Sequence, residues 1–299
     1  MKRFSQYFAT AAVSVGLLTA TFAGTARAAQ PTPLTAAPQR SEASIQTITG
    51  QTIRPLLTFG PVQNQPQAQP QKAPAGGNPT PQAPQPNGKT IFIDPGHGST
   101  DTGAVHKDAN GNVDLTEADV NLAISLKLAD MLRQNGYNVV MSRTDNHAPA
   151  MDQGTAADLQ ARIDEANAAG ADLFICVHNN AAGSPNAEGT EVYYCSNRSF
   201  SADNIRLAKL VDQGSVNSLH QAGYNAKDEG AQDDASFGHF AVLAPSNTDR
   251  PTKMPGIIGE SLYMTNDQDA AKLHQPQIQQ AIAQGYLQGI QAYFNNSNA

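Results

Sequence analysis

From residue 89 onward this chain exchanges short apolar runs for stretches of helical period, again and again. Apolar runs of about four to eight residues bounded by turn formers read as strands, and apolar residues spaced three and four apart read as helices. Thr90-Ile-Phe-Ile93 is such a run and ends at Asp94-Pro-Gly-His97. Thr116 to Gln134 reads as a helix: Thr116 and Asp119 form a capping-box pattern, Leu122, Ile124, Leu128 and Leu132 recur along it, and Gly136 closes it. Tyr137 to Met141 follows as a strand, then a helix from about Leu159 to Ala169 stopping at Gly170, then the strand Leu173 to Val177. Thr190 to Tyr194 is a further strand, about Asp203 to Gln221 a long helix, and Phe240 to Leu243 and Gly256 to Ile258 short strands. Pro276 opens a last helix reaching about Phe294, at the helix position that tolerates proline best. This alternation predicts an α/β fold, a mostly parallel twisted sheet with helices on both faces.

The first 88 residues cannot contribute to such a fold. Lys2 and Arg3 precede an apolar, alanine-rich run from about Phe8 to Ala23, and Ala26-Arg27-Ala28 offers a small-x-small exit. That is the form of a secretory signal peptide over 1–28, so the mature protein is expected to be exported, to periplasm or external wall. No later segment is apolar over the roughly 20 residues that crossing a bilayer requires. Residues 29–88 are rich in Pro, Gln, Ala and Thr, too poor in large apolar side chains to offset the entropy of ordering them, and read as a disordered linker. The expected folded domain is therefore 89–299, a monomer on this reading.

Charge divides at the same place. Residues 89–299 hold 13 Lys and Arg against 25 Asp and Glu, a balance of −12. So acidic a region argues against a nucleic-acid partner and against electrostatic adhesion to anionic membranes. The two cysteines, Cys176 and Cys195, read as small buried hydrophobes on neighbouring strands, although export permits a disulfide.

In open α/β sheets ligands gather beyond the carboxyl ends of the strands. His97 follows the first strand, His178 ends the Leu173 run, Glu260 ends the Gly256 run, and Glu117 opens the first long helix. Two imidazoles and a carboxylate with one open position suit a catalytic zinc ion. His97, Glu117 and His178 supply that set, Glu260 a general base, and Asn180 a group to bond substrate or orient a ligand. Each alone also fits a plainer role, since a loop histidine is often solvated and a glutamate at a helix start complements the dipole. His106, His147, His220, His239 and His274 keep that plainer reading, with His239 the first exception to expect because Gly238-His-Phe240 leads into a predicted strand.

Ordered blocks then narrow the choice. Ile93-Asp-Pro-Gly-His-Gly98 followed by Asp101-Thr-Gly-Ala104, Glu117-Ala-Asp-Val-Asn-Leu122, Ser142-Arg-Thr-Asp145 and Leu159-Gln-Ala-Arg162 occur in that order. Phe174-Ile-Cys-Val-His-Asn-Asn-Ala181, Gly189-Thr-Glu-Val-Tyr-Tyr194 and Gly256-Ile-Ile-Gly-Glu260 continue the series. Together, over about Lys89 to Phe294, they resemble the zinc-dependent N-acetylmuramoyl-L-alanine amidases. The resemblance implies that His97, Glu117 and His178 hold one zinc ion and that Glu260 is the catalytic base. The implied reaction cleaves the amide between N-acetylmuramic acid and L-alanine in peptidoglycan; the alternative is a zinc peptidase or deacylase acting on another amide. Ala244, where the family often has a basic residue, the long stretch Pro245 to Lys253 and the acidic Lys227 to Asp234 depart from the pattern, in segments expected to meet substrate. The residues name no regulatory protein partner.

Overall fold

The computed structural model describes residues 85–295. The expected signal peptide and all but the last four residues of the expected linker lie outside them.

Six strands form one sheet: β1 (Thr90–Pro95), β4 (Asn138–Met141), β5 (Leu173–Asn180), β6 (Thr190–Tyr194), β7 (Asp228–Asp233) and β8 (Gly256–Tyr263). Their order is β4-β1-β5-β8-β6-β7, with a separate two-stranded ribbon of β2 (Val105–Lys107) and β3 (Val113–Thr116). All sheet pairings are parallel except β6 with β8. The helices are α1 (Glu117–Gln134), α2 (Thr155–Ala168), α3 (Ser201–Gln221), α4 (Asp267–Leu273) and α5 (Pro276–Asn295).

The sheet has an apolar layer on each face. On one, Ile91, Ile93, Ile175, Val177 and Ile257 pack against Ile124, Leu128 and Leu132 of α1, Leu207 and Val211 of α3, and Ile282, Tyr286 and Ile290 of α5. On the other, Phe92, Phe174, Cys176 and Ile258 meet Ile163 and Ala166 of α2 and the segment carrying Val242, Leu243 and Met254. Alternate residues of β1 and β5 serve opposite layers, which is why both strands read as unbroken apolar runs. Thr116 caps α1 as its sequence implies, its Oγ1 accepting from the Asp119 amide and donating to Asp119 Oδ2 at 2.6 Å.

Several expectations are corrected. Phe240–Leu243 is not a strand but turns packed into the second layer, apolar because they are buried. Asp228–Asp233, within the acidic stretch taken for a loop, is the edge strand β7, held by its ladder to β6. β5 continues past Val177 and β8 past Ile258, so His178 and Glu260 lie within strands rather than just beyond them. Cys176 and Cys195 are buried and free as expected, but β8 stands between their strands.

Candidate active site

The turn after β1 is fixed from below by buried charge. Arg162 pairs with Asp94 at 2.6 Å and Asp158 at 2.7 Å, all three almost wholly buried. Its remaining donors hold the Pro95 and His97 carbonyls, while Arg143 holds those of Pro95, Gly96 and Ala118. Burial alone would raise the pKa of Asp94, but Arg162 and the Ser142 hydroxyl outweigh it and keep the carboxylate ionised. Removing one member of such a set leaves a buried charge unpaired, at a cost of about 3–5 kcal/mol. The framework presents His97 in a left-handed conformation, φ 62°, uncommon for a residue with a Cβ and tolerated where surroundings over-determine it.

On this base the structure brings the predicted residues together. His97 Nε2 lies 3.1 Å from Glu117 Oε2, and His178 Nδ1 lies 2.8 Å from Glu117 Oε1. One ligand atom from each of the three lies within 4.8 Å of the others. The carboxylate is held in turn, Oε2 accepting from the Ala104 amide at 2.9 Å and Oε1 from Asn121 at 3.3 Å. Burial opposes its ionisation, but the two imidazoles beside it prevail and hold Glu117 well below the usual carboxylate range. His97 Nδ1 meets Asp101 Oδ2 at 2.9 Å. Burial would lower the His97 pKa, yet Asp101 and Glu117 together push it up to about 10.

Space at the cluster is kept by two glycines. A Cβ on Gly96 would sit 2.1 Å from His178 Nε2, and one on Gly103 would sit 2.6 Å from Glu117 Oε2. Gly103 also has φ 63°, so it answers both a steric and a conformational demand.

Glu260 stands beside His178 in register across β5 and β8. Its Oε2 is buried without a hydrogen-bond partner. Burial, then the charges of Glu117 and Glu191, raise its pKa well above the ordinary value. Glu191 is its antiparallel partner on β6, where like charges repel. Three carboxylates crowded together with an orphaned oxygen favour a bound cation, and two imidazoles with one carboxylate form the donor set that zinc takes. The residues present therefore fit a zinc ion.

Asn180 lines the same cleft, but its Nδ2 donates to Glu191 and its Oδ1 accepts from the Ala181 amide at 2.8 Å. It is thus placed to fix Glu191 as well as to meet a ligand. Cys176 also borders the cleft, but burial pushes its thiol pKa far up, so it offers no thiolate nucleophile. The far wall carries Leu159, His239, Phe240 and the segment Asn247 to Arg250. Ala244 does not reach it, being buried in the second apolar layer, and Lys227–Asp234 is not among its lining. The supporting roles of Asp101, Asn121, Arg143, Arg162 and Glu191 were missed from sequence. Arg162 follows Asp158 by one helical turn, a spacing that suggests a pair but does not tell a buried one from a solvated one.

Comparison with known proteins bears on the same region. Residues 91–292 match the family model described as N-acetylmuramoyl-L-alanine amidase. The N-acetylmuramoyl-L-alanine amidase LytC of Bacillus subtilis is 34% identical over 207 residues, 69% of this chain but only 36% of that protein. The germination-specific N-acetylmuramoyl-L-alanine amidase of the same organism is 30% identical over 214 residues, 70% of this chain and 81% of its own length. Among solved structures, the amidase AmiC2 of Nostoc punctiforme superimposes with a TM-score of 0.57 at 27% identity, covering 70% of this chain and 99% of that one.

Proposed function

Because the chain belongs to the N-acetylmuramoyl-L-alanine amidase family, we propose that it hydrolyses the amide joining the lactyl carboxyl of N-acetylmuramic acid to L-alanine in peptidoglycan, with one zinc ion held by His97, Glu117 and His178. The observation that carries this reading is the convergence of those side chains beside the unpaired Glu260 carboxyl in one cleft. Zinc held there supplies Lewis acidity toward the amide carbonyl and toward water.

The chain's own groups do the rest. Asp101 orients the His97 ring, and the Ala104 and Asn121 donors hold Glu117, so the donors keep their spacing before substrate arrives. Glu260 takes a proton from the water that attacks the carbonyl carbon, then passes it to the nitrogen as the carbon–nitrogen bond breaks. The products are a carboxylate on the sugar and a free α-amine on L-alanine. Asn180 and the wall from Asn247 to Arg250 are positioned to contact sugar or peptide flanking the bond. A peptidoglycan substrate and the signal-peptide pattern of residues 1–28 both support a working protein outside the cytoplasm. Among the described residues no helix is long and apolar enough to cross a membrane.

Glu260→Gln tests the assignment. It keeps shape but removes the proton acceptor, so turnover of a soluble muropeptide is expected to fall by about 10²–10⁴-fold with zinc content and fold unchanged. Loss of the zinc would instead make Glu260 a ligand, and unchanged turnover would place the base elsewhere.

A further inference from the structure

His106 and His274, both given a plain surface reading above, meet although they are 168 positions apart in the chain. Their rings lie edge to face with centroids 6.4 Å apart. Between them is Asp114. Its Oδ1 is 2.7 Å from His106 Nδ1 and its Oδ2 is 3.1 Å from His274 Nε2.

This is the plan of the active-site cluster repeated at another place. There, too, one carboxylate presents its two oxygens to two imidazole nitrogens, at 2.8 and 3.1 Å. There, too, one imidazole turns its other nitrogen to a second carboxylate, His97 to Asp101 at 2.9 Å. In the second cluster His106 Nε2 faces Asp267 Oδ1 at 3.4 Å. A carboxylate behind a histidine is the arrangement that sets tautomer and ring direction for metal binding. One ligand atom from each of His106, Asp114 and His274 lies within 4.8 Å of the others.

We propose that His106, Asp114 and His274 form a second zinc site, separate from the catalytic one. It offers three protein donors and stands at the surface, so solvent completes the tetrahedral coordination that zinc prefers. Two imidazoles select zinc over magnesium or calcium, which take oxygen donors. Its place in the fold gives it a mechanical consequence. His106 is on β2 and Asp114 on β3, while His274 closes α4 just before α5 begins. The metal thus clamps the β2–β3 ribbon to the α4–α5 corner. That ribbon runs from the His97 loop directly into Glu117, and the Glu117 amide donates to Ala104 O at its base. Zinc at the outer site therefore restrains the backbone that delivers Glu117 to the inner one.

The test is a zinc count on the full chain, by elemental analysis after equilibration with buffered micromolar zinc and by calorimetric titration of the stripped protein. Wild type is expected to take two equivalents, and His106→Ala and His274→Ala one each. Asp114→Asn, which barely changes volume, should give the same loss. Asp267→Asn should retain the second equivalent but bind it about 10–100-fold more weakly, as removal of an outer carboxylate does. Cobalt substitution adds a spectroscopic reading, with visible absorption from two sites in wild type and from one in His274→Ala. His178→Ala, which should lose the other equivalent, keeps failure of the catalytic assignment distinct from failure of this one. A wild type saturating at one equivalent that His178→Ala abolishes overturns the proposal, and so does a His106→Ala/His274→Ala chain that still takes two.

Discussion

The candidate site depends on single side chains whose neighbours set their charge. Glu260 sits opposite Glu191 in the antiparallel pair of β6 and β8, and that charge adds to burial and Glu117 in raising its pKa. As the proposed proton acceptor it works only when ionised, so on that reading activity rises with pH through its pKa. Glu191→Gln removes one of the repelling charges while its amide oxygen still accepts from Asn180 and from the Tyr263 hydroxyl. The acid limb of the kcat/KM profile should therefore move to lower pH in Glu191→Gln; a limb that stays fixed or moves up contradicts the placement of Glu260 as base. At this scale the sequence was most legible where a residue type announces its chemistry. His97, Glu117, His178 and Glu260 were singled out because few other side chains bind zinc or move protons, and because ordered blocks resembled a family. Arg143 and Arg162 were not assigned roles, because an arginine that holds loop carbonyls cannot be told in sequence from one in solvent until its burial is known.

At the scale of elements, strands buried on both faces and helices with one apolar stripe were readable, and marginal or edge elements were not. β7 reads Asp-Glu-Gly-Ala-Gln-Asp, with no apolar alternation, because an edge strand is held by one ladder and its charges discourage a further strand from pairing. The β2–β3 ribbon was not read either: Val113 and Leu115 alternate and Leu115 packs on the core, but strands of three and four residues give too short a pattern, and the Asn110-Gly111 turn signal was left unused. Conversely, Phe240–Leu243 had the composition of a strand and became buried turns, since composition reports burial before it reports conformation. The close approach of α3 and α5, where Gly285 faces Ser215 and Gly289 faces Val211 without room for a Cβ, was hidden as well, because it depends on two distant helices at once. Where β7 meets α3, Asp212 is pushed up to about 7 by burial and by the Asp228 carboxyl beside it. A carboxyl whose folded pKa is raised favours the protonated folded state, so its contribution is full below about pH 4, the unfolded value, and is lost as pH rises through 7. Asp212→Asn removes that loss and can still donate to Asp228. Its melting temperature should exceed wild type on the alkaline side of 7, with the gap closing toward acid; a gap independent of pH would sink this account.

For the whole molecule, the division at residue 89 was the plainest reading, since a chain poor in large apolar residues has nothing to bury. Among the described residues, 85–88 also make contacts with the folded body. The Asn87 amide donates to Gly136 O at 2.9 Å, and a Cβ on Gly136 would lie 2.3 Å from Gln85 O, so residues 85–88 pack on the end of α1. A chain beginning at Gln85 should fold and cleave soluble muropeptides at the wild-type rate, with circular dichroism and product release as the checks. Loss of folding would mean that the earlier segment contributes to the core. The central claim is that this chain uses zinc to open the bond between muramic acid and L-alanine. Its most direct test is digestion of purified peptidoglycan by the full chain as isolated, after chelation, and after zinc is restored, with new amino termini identified by labelling and mass spectrometry. The account predicts free stem peptides beginning with L-alanine, none after chelation, and recovery with zinc. New termini from within the stem peptide, or release that survives complete removal of metal, would contradict it.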